Sequence, residues 1–350
     1  MSALSVLLIG TGPPMLLEGM ARAKQGQKVI FVDQAATIGG SWKCPEVVGH
    51  FGVEVGVHLI ENRPHTNAVF EALLEPSQRV AGNPDFGLMG KRRIPMRYAR
   101  VLLYGGIAGR NLLKGKIERV RHSLKNMGEA LRYRNLPFMY PKAGMAQVLN
   151  DLEARLKAHG AEFHFNRKIE RLDVSQSGVT AFTSTGALSA DHLVMSSRAH
   201  APLAGLEHLW GERNDLSITS VVIKTEGPAP LFDGYVEIIN DRILKRVRNV
   251  SAFATPLPED GTALVVIQLR KSIAQTPLNS IHAHLIDRGL FDEATSITAH
   301  HIDEVCLNTL CDKALDEIAA THPNNITVLR TVDLGDTKFD AGLLLHTPLA

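Results

Sequence analysis

The chain opens on an uninterrupted apolar run, SVLLI at 5–9, followed by a glycine turn and a stretch over 15–24 suited to a helix. A second β-rich run, KVIFV, occupies 28–32. Short apolar runs bounded by turn residues predict strands, so the opening reads as strand, turn, helix, strand. Residues 51–62 then carry alternating Val and His, and residues 66–74 read as a helix with Thr66 or Asn67 as its N-cap. The longest helical pattern lies within 100–134, where Leu113, Ile117, Val120, Leu124, Met127 and Leu131 recur at steps of four and three. Gly105 and Gly106 are expected to interrupt any helix running in from Val101. Residues 145–159 form another amphipathic helix closed by Gly160, with strands expected at 162–165 and 169–174. Between 217 and 271 the segments SITSVVIKTEG, GYVEIIND and TALVVIQLRKS, parted by Pro, Gly and Asp, predict an antiparallel sheet. Helices at 278–287 and 302–320 and a strand at 326–329 complete the pattern.

A chain of 350 residues, 45% hydrophobic and 21% charged, can bury a large core in one domain or two interleaved ones. No apolar run reaches the roughly 18 to 20 residues that span a bilayer, and the short apolar start lacks the form of a secretion signal, so a soluble, cytoplasmic protein is expected. Cys44, Cys306 and Cys311 give neither a disulfide framework nor a zinc spacing. His282, His284, His300 and His301 lack partnering carboxylate or cysteine spacing, and no metal is expected. The net charge of +2 hides a polarity: residues 91–134 hold 13 Lys and Arg against Glu118 and Glu129, a net +11, leaving 25 basic against 34 acidic residues elsewhere. Such a stretch attracts anions. Nucleic acid is not expected there, because Tyr98, Tyr104 and Tyr133 are its only large aromatic platforms.

The chemistry is written most legibly in LLIGTGPPMLLEGMARAKQGQKVIFVD. Gly10 and Gly12 fall in the turn after a strand, Pro13 follows them as a further candidate cofactor contact, and Asp33 ends the next strand. The first glycine permits a tight turn, the second lets backbone approach a pyrophosphate, and the helix N-terminus faces the phosphates, while the acid receives ribose hydroxyls. Met15 stands where this fingerprint wants its third glycine, and Gly19 is placed to relieve part of the resulting crowding.

The continuation QAATIGGSW resembles the motif of FAD-dependent oxidoreductases of the amine oxidase, protoporphyrinogen oxidase and phytoene desaturase type, whose fold UDP-galactopyranose mutase shares. The resemblance implies FAD as cofactor, with Asp33 at the ribose, Gly39 and Gly40 along the diphosphate, and Ser41 and Trp42 as further cofactor contacts. The arginines that often flank the glycine pair in amine oxidases are absent, with Thr37 before it and Ser41 and Trp42 after. VEVGVHLIENRPHTN is similar to the segment near the flavin ring and implies Gly56 as a cofactor contact and His58 as the catalytic candidate; His65 and Thr66 also resemble the mutase's His-Thr step. YPKAGMAQVLNDLEARLKAHGAEFHFNRKIERLDV is similar to the stretch that re-enters the FAD domain, with Gly144 opening a helix and Ile169 at the adenine. GALSADHLVMSSRAH carries the Ala190-Asp191 signature, and the final strand and turn imply Arg330, Gly335, Asp336 and Asp340.

The expected fold is α/β: an FAD-binding Rossmann-like domain interleaved with an antiparallel β-sheet and a helical substrate or cap region. The expected division is residues 1–75, 141–205 and 301–350 for FAD binding, 76–140 for the helical cap and 206–300 for the substrate sheet. The leading function is an FAD-dependent oxidoreductase taking a hydride from a small or medium substrate. The alternatives are a non-redox enzyme of the mutase kind and a non-catalytic binding protein on the same fold. The basic helix reads either as a solvated face, as a cap whose Arg119 and Arg121 hold an anionic substrate, or, less favoured, as a foot on an anionic membrane. Oligomeric state is left open.

Overall fold

The computed structural model describes residues 3–56, 60–61, 79–81, 86–132, 138–196, 202–211, 213–252, 262–270 and 272–329. His58, His65, Arg330, Gly335, Asp336, Asp340 and the helix expected at 66–74 lie outside the described residues.

Strands β1 (Ser5–Ile9), β2 (Lys28–Val32), β8 (Glu162–His164), β12 (His192–Ser196) and β18 (Ile326–Leu329) form a parallel sheet in the order β18-β12-β1-β2-β8. A parallel sheet is covered on both faces, which is why β1 and β2 read as continuous apolar runs. Val6 and Leu8 enter one core with helix α1 (Pro13–Lys24) and helix α4 (Met145–Ala158), while Leu7 enters the other. That second core is closed by the meander β9 (Ile169–Ser175), β10 (Gly178–Thr183) and β11 (Gly186–Ala190), and by helix α6 (Asp312–Thr321).

The larger sheet has the order β17-β13-β16-β15-β14-β5-β6, from β5 (Phe86–Met89), β6 (Arg92–Pro95), β13 (Arg213–Glu226), β14 (Tyr235–Ile239), β15 (Leu244–Asn249), β16 (Ala263–Leu269) and β17 (Ser296–Leu310). Its pairs are antiparallel except β14 with β5. Val221, Ile223, Val265 and Ile267 turn to a core with Ile281 and Leu285 of helix α5 (Leu278–Asp287). Val222, Val266 and Tyr235 turn the other way, into the core of the parallel-sheet domain. A small antiparallel sheet has the order β3 (Ile60–Glu61), β7 (Phe138–Pro141), β4 (Arg79–Ala81).

Two helical expectations are corrected. Residues 302–310 are strand: β17 pairs with β13 from Arg213–Leu310 to Glu226–Ser296, and the helix starts only at Asp312. Sheet pairing along the whole length overrides a local pattern that also suits a helix. β17 thereby crosses the boundary expected at 300/301. Gly105 and Gly106 interrupt nothing, because helix α2 (Met96–Leu113) runs through both. Its partner α3 (Ile117–Arg132) lies alongside, with Met127 Sδ at 4.0 Å from where a Cβ on Gly105 would stand. The break comes at Gly115, with φ of +66°, where Gly115 N–H donates to Leu112 O and Lys116 N–H to Asn111 O. This paired closure suits glycine, the residue that enters the left-handed region without strain.

Candidate functional site

The glycine turn sits at the carboxyl end of β1, the middle strand of the parallel sheet, where the strand order steps to β2 on one side and to β12 on the other, the usual place for a ligand crevice in such a sheet. Gly10, at φ +88°, donates its N–H to Val32 O at 2.7 Å, closing the turn onto β2. The Thr11 backbone N–H and hydroxyl both donate to Asp33 Oδ2 at 2.7 Å, and Ala35 N–H donates to Oδ1 at 2.9 Å. The second glycine pair docks on this turn. Gly39 N–H donates to Thr11 O at 3.1 Å, and a Cβ on Gly40 would stand 2.9 Å from Gly12 Cα. Gly10, Gly12, Pro13, Asp33, Gly39 and Gly40 are thus brought together from three segments. Ser41 and Trp42 follow in a single 3-10 turn, with the Trp42 ring buried in the core.

FAD fits this arrangement at two points. Among the described residues, and leaving aside each glycine's own chain neighbours, no atom lies within 4 Å of where a Cβ on Gly10 or Gly12 would stand, which leaves room for a diphosphate beside the turn. Asp33 Oδ1 accepts one backbone bond and retains a lone pair for a ribose hydroxyl. The departure is at the helix start, where Pro13 and Pro14 carry no N–H and Met15 N–H is committed to Gly12 O at 2.9 Å. A phosphate held here would rest on the helix dipole and the backbone of the two glycine turns. Met15 itself is core, 3% exposed. Gly19 takes over close packing one turn later: a Cβ there would stand 2.3 Å from Phe31 Cζ on β2.

Of the other expected contacts, Gly144 at φ +79° opens α4, Gly56 follows the buried Val53 and Val55, and Ile169 begins β9 within the second core. Arg119 and Arg121 are exposed on α3, the outer helix of a hairpin seated through α2 on β5, β6 and β14.

Sequence reasoning missed a buried polar junction between the two sheets. Arg248 is fully buried on β15; its Nη1 donates to Glu54 Oε2 at 2.9 Å, and its guanidinium lies 4.0 Å from the centre of the Tyr140 ring. Tyr140 donates its hydroxyl to the same carboxylate oxygen. Burial pushes the Tyr140 hydroxyl well above its ordinary pKa, against the pull of Arg248 and with the help of Glu54. Burial opposes the Arg248 charge, but Tyr140 and Glu54 more than offset it and hold its pKa above the ordinary value. Beside it, Tyr235 and Arg246 both donate to Glu237 Oε2, the arginine at 3.1 Å. The ladder places Tyr235 opposite Arg248 and Glu237 opposite Arg246, so both groups share one sheet face. Glu54 Oε1 and Glu237 Oε1 are buried with no hydrogen-bond partner among the described residues. The available signal was polar side chains at alternate positions, Tyr235 and Glu237 in YVEII and Arg246 and Arg248 in LKRVRN, which marks one face of each strand without naming its partners.

The family profile described as "Flavin containing amine oxidoreductase" matches residues 77–203. A crystal structure of reduced UDP-galactopyranose mutase is similar over 93% of this chain and 88% of its own, at TM-score 0.69 and 12% identity. A putrescine oxidase bound to putrescine is similar over 94% and 93%, at 0.64 and 13%. A Rab GDI from Plasmodium falciparum is similar over 93% and 92%, at 0.60 and 12%. No curated protein sequence matches the chain. The profile and the structures agree with the superfamily that QAATIGGSW and the later motifs resemble, and the chain has the mixed α/β fold of the FAD-dependent amine oxidases.

Proposed function

We propose that the protein is an FAD-dependent oxidoreductase acting on a small or medium organic substrate. The observation that carries this reading is the convergence of Gly10, Gly12, Asp33, Gly39 and Gly40 at the carboxyl end of β1. When bound there, FAD would accept a hydride from the substrate. The chain's own work is binding and orientation: Asp33 holds the ribose, the glycine turns admit the diphosphate, and the polar junction fixes the 53–56 segment against the larger sheet. His58, which follows that segment, is the proposed acid–base residue, by the resemblance alone.

One observation favours a second reading, a binding protein without catalysis. Pro13 and Pro14 remove two donors from the helix N-terminus, which weakens the hold on a diphosphate. An absorbance spectrum of the purified protein and a titration of FAD by fluorescence quenching separate the two. The oxidoreductase reading expects flavin bands and saturable quenching, with Asp33→Ala weakening FAD about 10- to 100-fold, as for a hydrogen-bonded charged group. Absent bands and absent quenching would sink it in favour of the binding-protein reading, and equal affinity in Asp33→Ala would remove Asp33 from the site.

A further inference from the structure

The α2–α3 hairpin presents to solvent what a packed helix pair ordinarily hides. Leu113, at the tip, is 89% exposed, and Leu112 beside it 59%. Along α3, Ile117, Leu124 and Leu131 are 51%, 48% and 50% exposed. Their spacing of seven keeps them on one line of the helix, since two turns advance about 7.2 residues. They do not face the interior: among the described side chains of α3 the buried ones are Ser123, Asn126 and Ala130, well around the helix from that line. The helix therefore packs a mixed face inward, with the half-buried Val120 and Met127 beside Ser123, Asn126 and Ala130, and leaves a Leu/Ile line facing out. A surface helix ordinarily turns its whole apolar side inward, and this one leaves part of it in solvent.

The flanks of the outer stripe are basic. Lys114 and Lys116 lie between the tip leucines and Ile117, and Arg121 and Lys125 stand one turn after Ile117 and Arg121 respectively, at the edge of the stripe. Residues 96–132 hold nine Lys and Arg against two Glu, and the remainder of the chain outside 91–134 is acidic. Apolar side chains at the tip ringed by cations suit a surface that is anionic on the outside and hydrocarbon beneath. A soluble acidic partner would meet the charges and leave the leucines unexplained. No described helix is long and apolar enough to cross a membrane, so the contact is with a surface.

We propose that the tip and outer stripe of the α2–α3 hairpin dock on an anionic phospholipid bilayer, with Leu112, Leu113 and Ile117 entering the headgroup–acyl boundary and Lys114, Lys116 and Lys125 meeting the phosphates. The proposal does not depend on FAD or on catalysis.

The full chain is sedimented with phosphatidylserine–phosphatidylcholine vesicles and, separately, with phosphatidylcholine alone, at low and high salt. Binding is expected to the anionic vesicles only. It should fall as the Debye length shortens from about 10 Å at 0.1 M salt to about 3 Å at 1 M. Lys114→Ala with Lys116→Ala should weaken it about five-fold per residue, and Leu113→Glu with Ile117→Glu should abolish it. All four positions are exposed, so melting by circular dichroism should be unchanged. Should the glutamate pair unfold the hairpin, Leu113→Ser alone reports on insertion and must still weaken binding. No sedimentation with anionic vesicles, or undiminished binding by the folded variants, overturns the proposal. So does a concentration-dependent dimer in the wild type that Leu113→Glu dissolves without any vesicle binding, since the stripe would then be a contact between copies.

Discussion

At the scale of single residues, Gly19 shows how a broken motif keeps its geometry. The fingerprint's third glycine exists to let helix and strand approach, and here that approach is moved one turn along α1. Phe31 cannot step aside, because it is fully buried and stacked on Phe163 at 4.7 Å. Gly19→Ala gains about 1 kcal/mol of helix propensity, yet the overlap with Phe31 costs about 1–3 kcal/mol. The overlap should win, lowering the denaturation midpoint, and Phe31→Leu in the same chain should return part of the loss. A Gly19→Ala protein as stable as wild type would show that the close approach is not required. Met15, seen from the sequence as a strain on the site, is part of the core, so replacing it would open a cavity before it helped any ligand.

At the scale of elements, the turn between β14 and β15 is tied to α5 through Asp241. Its Oδ1 accepts the N–H groups of Ile243 and Leu244 at 2.7 and 2.8 Å, and its Oδ2 faces Arg288 at 2.7 Å and His284 at 3.4 Å. Burial alone would raise this carboxyl's pKa, but the two backbone donors and the two cations outweigh it and hold the pKa below the ordinary value of 3.8. A depressed folded pKa stabilises the protein at pH above the unfolded value, and that contribution is lost as pH falls through the folded one. Because solvent reaches Arg288 and His284, Asp241→Asn should cost only about 1–2 kcal/mol at neutral pH. The gap between mutant and wild type should close below the ordinary carboxylate range. Urea denaturation at neutral and strongly acidic pH checks this, and a gap that does not narrow in acid would exclude ionised Asp241 as its source.

At the scale of the molecule, the two sheets are joined by a shared apolar core, by Lys43 to Asp303 at 2.7 Å, and by the buried Glu54–Arg248 pair. Breaking a buried pair from one side leaves a charge without compensation, at about 3–5 kcal/mol. Arg248→Met should therefore destabilise by that order. Arg248→Met with Glu54→Gln should recover most of it, because the amide can still meet the Tyr140 hydroxyl. If the double mutant is no better than the single one, the stranded carboxylate is not the cause. The same junction holds Glu54 two residues before Gly56, so loosening it should also disturb whatever is bound beside that segment.

The parallel sheet's opening was legible in the sequence because its information is local. SVLLI, the glycine turn and KVIFV each specify conformation within a few residues, and β1 and β2 fall where their apolar runs lie. Gly10, Gly12 and Asp33 could be placed by spacing for the same reason, since the turn closes over a short loop, whereas the resemblance places Gly39 and Gly40. Where meaning depends on a distant partner, the sequence fell silent or misled. Residues 302–310 suit a helix by local pattern and become strand because β13, some eighty positions earlier, supplies a full ladder. Gly105 and Gly106 suit a break and remain helical beside α3. Arg248, Glu54 and Tyr140 are unremarkable as letters, and only the tertiary structure strips them of water and sets them against one another. Burial and long-range pairing decide which charges become costly and must be matched, and neither is a property of a residue's neighbours in the chain.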